Sequence, residues 1–408
     1  MGDSTDGAAA DAARLARNAV ESLPAGALAE KLQIARSEGR ALRVKLGIDP
    51  TAPDIHLGHA VVLAKLREFQ DLGHRAVLIV GDYTARVGDP SGRSNLRPML
   101  SESEIEANAA TFKEQALKIL DPDPERLEVR RNSEWLDMPM IELLRLARTT
   151  TAAQLLERDD FAKRLSAKQP VSLLELLYPL LQGYDSVAVR ADVEMGGTDQ
   201  KFNLLLARNI QRAYSEPEQA ILTMPMLVGI DGHRKMSKSL GNQIGITDSP
   251  QEIYGKTMSI PDGATEEYRR LLLGRSDSER PRQGAGASEP SPRDAKRSLA
   301  RELVAWLYSP EDAAAAERHF DRVVVRREAP EEIPEASFHS DGELVHLPGL
   351  IAEEFGISRS QARRLIDQGG VMLGDEQLAA GEHDVPGERA DGQLLRVGRR
   401  RFRRLRAG

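Results

Sequence analysis

ALRVKLGIDPTAPDIHLGHAVVLAKLREFQDLGHRAVLIV, residues 41–80, decides the fold. Leu42, Val44, Leu46 and Ile48 alternate with Arg43, Lys45 and Gly47, the period-two pattern of a strand with one buried face. A turn follows at Asp49-Pro50-Thr51. Leu57, Ala60, Val61 and Ala64 then recur at helical spacing until a stop at Gly73. Ala76 to Val80 is a short, wholly apolar run, as a buried parallel strand requires. Strand, helix, strand in that order is a βαβ unit, whose crossover is expected to be right-handed.

Working outward, residues 1–30 read as an Ala/Gly-rich arm, loose at first and then helical. From Ser101 to about Arg190 the chain is rich in Leu, Glu and Arg and reads as mostly helical. The α/β pattern then resumes: SVAVRADVEM as a strand, GGTDQ as a turn, KFNLLLARNIQRAY as a helix. The expected fold class is therefore α/β, a Rossmann-like parallel sheet over 31–232 with a helical insertion at about 101–190. An α-helical domain follows over 233–330, broken by the loop-like RSDSERPRQGAGASEPSPR. A linker over 331–343 leads to a small α+β domain over 344–408.

The 408 residues suit two or three domains, and 40% are hydrophobic, enough for a substantial core. The formal net charge is -7, from 56 basic and 63 acidic residues, so any nucleic-acid contact must use locally gathered cations. Cysteine is absent, which excludes disulfides, thiolate metal sites and a cysteine nucleophile. The N-terminus lacks the apolar core of a secretory signal, and no apolar run approaches the roughly 20 residues needed to cross a bilayer. A cytoplasmic location is expected, with no membrane partner.

His56 and His59 stand three apart at a helix start directly after a strand and DPT, where phosphate binds in open α/β sheets. They face one side and can hydrogen-bond the phosphates or ribose of a nucleotide, or serve as helix caps. KMSKS, Lys235 to Ser239, follows the loop GIDGHR. Its two lysines make a cationic loop able to close on a triphosphate and stabilise departing pyrophosphate. Tyr178, Gln182 and Asp185 are spaced to share one helix face.

HLGH paired with KMSKS resembles the class I aminoacyl-tRNA synthetases, in which an insertion also splits the nucleotide-binding fold. Within them, YPLLQGYDS (178–186), GGTDQ (196–200) and GDYTARVGDPSGR (81–93) resemble the tyrosyl-tRNA synthetases. The resemblance runs over nearly the whole chain. It implies tyrosine activation by ATP and transfer to the 3′ end of tRNA(Tyr), with His56, His59, Lys235 and Lys238 acting on the transition state. Asp49, Thr51, Gly58, Gly197, Asp199 and Ser237 would join them around ATP. Tyr178, Gln182 and Asp89 would bind the amino group of tyrosine, Asp185 the phenol, and Gln200 the ribose, the adenylate and the tyrosine side.

By the same resemblance, Arg93 and Arg97 match a loop that acts on pyrophosphate. Magnesium is expected with ATP rather than in a protein metal site, and a homodimer is expected through the insertion. Many members carry a tyrosine two residues before the glycine of GxDPT. Here that position is Lys45, an ammonium able to donate to a phenolic oxygen, which suggests a variant subgroup.

GISRSQARRLIDQGGVMLGDEQL (356–378) resembles the RNA-binding domain of ribosomal small-subunit protein four, with Arg359, Arg363 and Arg364 along one helix. Such arginines neutralise RNA phosphates. The arginine-rich run from Gln393 to Gly408 carries no acid. Two rival readings stand: a tryptophanyl-type enzyme, against which Asp185 speaks because indole has no hydroxyl, and a non-catalytic RNA-binding relative, against which intact HLGH and KMSKS speak.

Overall fold

The computed structural model describes residues 2–51, 54–90, 101–274, 291–326, 333–338, 344–398 and 401–408. Arg93, Arg97, Arg399 and Arg400 lie outside them. The chain forms two compact units, one of residues 1–249 and 256–299, the other of 250–255 and 300–408.

The first unit is built on a six-stranded sheet. Its strands are β1 (Glu21–Leu23), β2 (Arg43–Ile48), β3 (Arg75–Val80), β4 (Leu127–Arg131), β5 (Val193–Gly197) and β6 (Ala220–Met224), in the spatial order β1-β6-β5-β2-β3-β4. All neighbours are parallel except β1, which pairs antiparallel with β6. The chain leaves β2 toward β3 on one side, while β5 comes to lie on the other. That reversal of order opens a crevice beyond the carboxyl ends of β2 and β5, the usual ligand position in such sheets.

Helix Leu57–Asp71 connects β2 to β3 and buries Leu57, Leu63, Leu66 and Phe69. Buried Gln70 fixes the far end of this crossover, donating to the carbonyls of Asp121 and Arg126 and accepting from the Asp121 amide.

Three sequence expectations change, and a fourth gains detail. The N-terminal stretch is not loose: it forms helix Gly2–Leu15, with Ala8 and Leu15 buried, and then strand β1. The excursion at 101–190 is mostly helical, as the sequence reads, and also supplies a strand. Helix Glu102–Ala116 leads into β4, whose charged LEVRR pattern reads as polar because it is a half-exposed edge strand. Ser186 to Ala188 do not open a strand but finish helix Leu173–Ala188; Arg190, at φ 49, ends the turn, and β5 starts at Val193. The alternation there is misleading because Val189 and Ala191 pack on the Val77 and Ile79 side chains of β3 outside any strand. Finally, β2 is covered on both faces, since Lys45 is as buried as Val44 and Leu46.

In the second unit, helix Pro310–Phe320 carries Glu317, which accepts from the Tyr254 hydroxyl. Farther on, a five-stranded sheet packs under helices Leu347–Phe355 and Arg359–Asp367 around Leu347, Ile351, Ile366, Val371 and Leu395. Part of the expected linker belongs to this sheet: Glu335–Phe338 pairs in parallel with Arg401–Ala407. The described part of the arginine-rich tail thus forms the strands Leu394–Val397 and Arg401–Ala407, with Arg403 paired to Glu354 and Arg406 to Glu335.

Candidate active site

Three polar networks meet at the crevice. The first rises from Asp49, just after β2. Its carboxylate accepts from the Tyr178 hydroxyl at 3.0 Å and the Thr84 hydroxyl at 2.7 Å. Gly81 makes room for this pair, since a Cβ there would stand 2.1 Å from Asp49 Oδ1 and 2.4 Å from Thr84 Oγ1. Thr84 accepts in turn from Asn132 Nδ2 at 2.9 Å. Asn132 also approaches Asp185, which accepts the Trp135 indole N–H at 2.8 Å. Burial raises Asp49 to about 7, and it raises Asp185 to about 7 against the opposing pull of Lys45 and Trp135.

Helix Leu173–Ala188 presents Tyr178, Gln182 and Asp185. It lies close on helix Lys201–Ala213 because residue 183 is glycine. A Cβ there would meet Ile210 Cδ1 at 2.5 Å and Ala207 Cα at 3.3 Å.

The second network joins Asp89, Gln182 and Gln200. Gln200 donates to Asp89 at 2.8 Å; Asn203 donates to Gln182 Oε1 at 2.7 Å and to Gln200 Oε1 at 3.1 Å. Arg158, itself buried, donates to Asn203 Oδ1 at 3.1 Å and lies 3.5 Å from Asp89. Asp89 and Gln182 are thus brought into one cluster, while the Tyr178 hydroxyl is joined to Asp49.

The third network brings the two signature motifs together. Ile55 to Leu57 pair with Ile244 to Ile246 just beyond KMSKS: the Leu57 amide donates to the Ile244 carbonyl, and the Ile246 amide to that of Ile55. His56 caps helix Leu57–Asp71 from an extended backbone and stacks on His59. Gly58 is required beneath it, because a Cβ would stand 2.9 Å from the His56 ring. Burial lowers His56 to about 3 and His59 to about 4, with Lys235 adding to both, so the rings are neutral. His56 Nδ1 is buried, facing the first turn of the helix that His56 caps.

Lys235 lies 3.5 Å from Asp199 in the 3₁₀ turn after β5, and Lys238 pairs with Asp54. Met236 between them is buried, and the Ser237 amide donates to Asn242 Oδ1 at 2.8 Å. Gly197 lies close under the Asp199 turn, where a Cβ would stand 2.7 Å from Asp199 Oδ1 and displace that carboxylate. Thr51 closes the turn after β2, its amide donating to the Asp49 carbonyl at 2.7 Å.

Lys45 does not stand ready for a phenol. Its ammonium forms an ion pair with Glu194 at 2.7 Å and donates to Ser186 Oγ at 2.8 Å and the Gln182 carbonyl at 2.9 Å. A lysine has three protons to donate, and all three are taken.

The sequence reading missed Trp135, Asn132, Thr84, Arg158 and Asn203. It also missed Asn108 and Gln115 of helix Glu102–Ala116, which hold the Pro50 carbonyl and the Ile55 amide. Trp135 apart, each is an ordinary polar residue in a helix or loop pattern. What marks them is the distant hydrogen-bond partner each one meets, which one sequence does not show.

Comparison with known proteins decides the family. The model for class I tRNA synthetases (W and Y) matches residues 37–324. The chain is 49% identical to the tyrosine–tRNA ligase of Moorella thermoacetica over 96% of its own length and 94% of that protein. It is 47% identical to that of Thermotoga maritima over 97% of its length and 96% of that protein.

The chain belongs to the tyrosyl-tRNA synthetases.

Among solved structures of the family, that of Archaeoglobus fulgidus in complex with L-tyrosine aligns with a TM-score of 0.59 at 26% identity, over 76% of this chain and 99% of that one. The truncated mitochondrial enzyme of Aspergillus nidulans shares the fold, with a TM-score of 0.62 at 22% identity, over 78% of this chain and 98% of that one. The α/β class expected from the sequence is the fold of this family. The tryptophanyl alternative loses its support, because the family relatives at 45% to 49% identity are named as tyrosine–tRNA ligases.

Proposed function

We propose that the crevice beyond β2 and β5 performs both steps of tyrosine–tRNA ligation. The tyrosine carboxylate attacks the α-phosphate of ATP, giving tyrosyl-adenylate and pyrophosphate. The terminal ribose hydroxyl of tRNA(Tyr) then attacks the activated carbonyl and releases AMP. Magnesium accompanies ATP as part of the substrate. The observation that carries the reading is the convergence of HLGH, KMSKS and the Tyr178–Gln182–Asp185 helix at the switch of strand order.

Asp185 accepts the phenol, since a buried carboxylate facing phenylalanine would lose a partner. Asp89, Gln182 and Tyr178 receive the ammonium. Asp49, Thr51, Gly58, Gly197, Asp199, Gln200 and Ser237 surround the nucleotide, and Arg93 and Arg97, outside the described residues, act on pyrophosphate. Neutral His56 and His59 donate hydrogen bonds to the phosphates, while Lys235 and Lys238 leave Asp199 and Asp54 to meet the charge that develops on pyrophosphate. Charging of tRNA(Tyr) with labelled tyrosine tests the whole sequence; adenylate formed without transfer to tRNA would sink its second half.

The insertion also supports a homodimer. Met140, Ile141, Leu144, Leu173 and Leu174 are all exposed there, and grouped exposed apolar residues mark association surfaces. Sedimentation should give a dimer that Ile141→Glu with Leu144→Glu dissociates; an unchanged dimer places the interface elsewhere. Exposed Arg359, Arg363 and Arg364 serve tRNA contact, and the reaction's partners suit the cytoplasm. Among the described residues no helix is long and apolar enough to cross a membrane.

A further inference from the structure

Lys45 and Glu194 face each other in register across β2 and β5, the two strands between which the sheet order reverses. Both are fully buried, at 0% and 1% exposure. An ion pair at this depth forfeits hydration that its attraction barely repays, so it is a poor device for stability alone. Its hydrogen bonds point to another role. Lys45 Nζ holds the Gln182 carbonyl and the Ser186 hydroxyl, one helical turn apart, and Asp185 lies between them on that turn. Glu194 closes the clamp from the neighbouring strand by accepting from Ser186 Oγ at 3.0 Å and from the Gln219 side chain.

We propose that Lys45, locked onto Glu194, is a specificity-determining positioning residue that clamps the Gln182–Ser186 turn to the sheet and so sets Asp185 against the substrate hydroxyl. The inference rests on the proposed placement of tyrosine. The clamp touches no substrate atom; it acts through Asp185 and Gln182. The Lys45 charge also opposes the effect of burial on Asp185, which favours an ionised acceptor. Gln182 is held from its other end as well, by Asn203, so loosening the clamp should disturb the phenol end more than the ammonium end.

The test is ATP–pyrophosphate exchange with tyrosine and with phenylalanine, for wild type, Lys45→Met/Glu194→Gln and Ser186→Ala. The double change removes both charges together, avoiding one orphaned buried ion, and keeps an acceptor for Gln219. Ser186→Ala leaves the ion pair intact and serves where the double variant does not fold. For the double variant the tyrosine KM should rise about tenfold or more and the preference for tyrosine over phenylalanine should fall about tenfold, a size typical of one mis-set hydrogen bond to a charged group. The KM for ATP should stay within a factor of about 3. Ser186→Ala should move the same two quantities, by less. A pair with a merely structural role would lower thermal stability and leave the ratio alone. Folded variants with wild-type KM and discrimination overturn the clamp only, whereas a wild type inactive with tyrosine overturns the substrate placement and the clamp with it.

Discussion

His56 and His59 stack with ring centroids 3.9 Å apart and an interplanar angle of 18°. Two imidazolium ions would repel at that separation, and the site avoids the problem by burying both rings in neutral form. Neutral imidazoles beside Lys235 are preorganised donors, with the positive charge left to the lysines.

That division predicts the effect of removing each group. His56→Ala or His59→Ala should lower the kcat of tyrosine-dependent exchange by about 10²- to 10³-fold, as for the loss of one transition-state donor. The tyrosine KM should change little. Lys238→Ala should behave alike. Steady-state exchange kinetics check this, and variants with wild-type kcat would remove these residues from the chemistry.

The buried carboxylates set a pH dependence. Asp185 and Asp49 are raised to about 7, chiefly by burial. A carboxyl raised on folding keeps its proton in the folded chain where the unfolded chain has lost it. The pair therefore withdraws stability as pH rises from about 4 to about 7. Asp185 is faced by Lys45, Glu194, Asp49, Tyr178, Trp135 and Asn132. The ionised carboxylate is the stronger acceptor for the phenol, so kcat/KM for tyrosine should climb through about pH 7. Asp185→Asn should lose roughly 10- to 100-fold in kcat/KM and flatten that limb, leaving the part due to Asp49. A pH profile unaltered by Asp185→Asn contradicts the assignment.

Gly183→Ala is a packing test. Its methyl group would meet Ile210 Cδ1 at 2.5 Å. Overpacking of this kind costs about 1–3 kcal/mol, so denaturant unfolding should show a lower midpoint at an unchanged slope. An unaffected midpoint would mean that the two helices separate freely.

The RNA contact can be counted. Each phosphate contact adds about 1 to the slope of log affinity against log salt. Arg363→Ala with Arg364→Ala should therefore lower the slope of tRNA binding by about 2, measured by filter binding across salt. Adenylate formation should remain at the wild-type rate. An unchanged slope removes this helix from the RNA surface.

How much of this the sequence disclosed follows physical lines. β3 was legible because a buried parallel strand is apolar throughout, as RAVLIV nearly is. HLGH and KMSKS were legible because unusual side chains recur at fixed spacing. β4 was hidden because an edge strand tolerates charge, and LEVRR carries three charged residues. The end of helix Leu173–Ala188 was hidden because Val187 and Val189 mimic alternation. Lys45 misled most: in one dimension a lysine within a strand points to solvent or substrate. Only the register that sets it opposite Glu194 shows an internal ion pair.

Tyrosine activation in this crevice is read out by exchange of labelled pyrophosphate into ATP without tRNA, with tyrosine, tryptophan and phenylalanine in parallel. Exchange with tyrosine alone is expected. Exchange with tryptophan or phenylalanine in its place, or none with any of the three from folded protein, would contradict it.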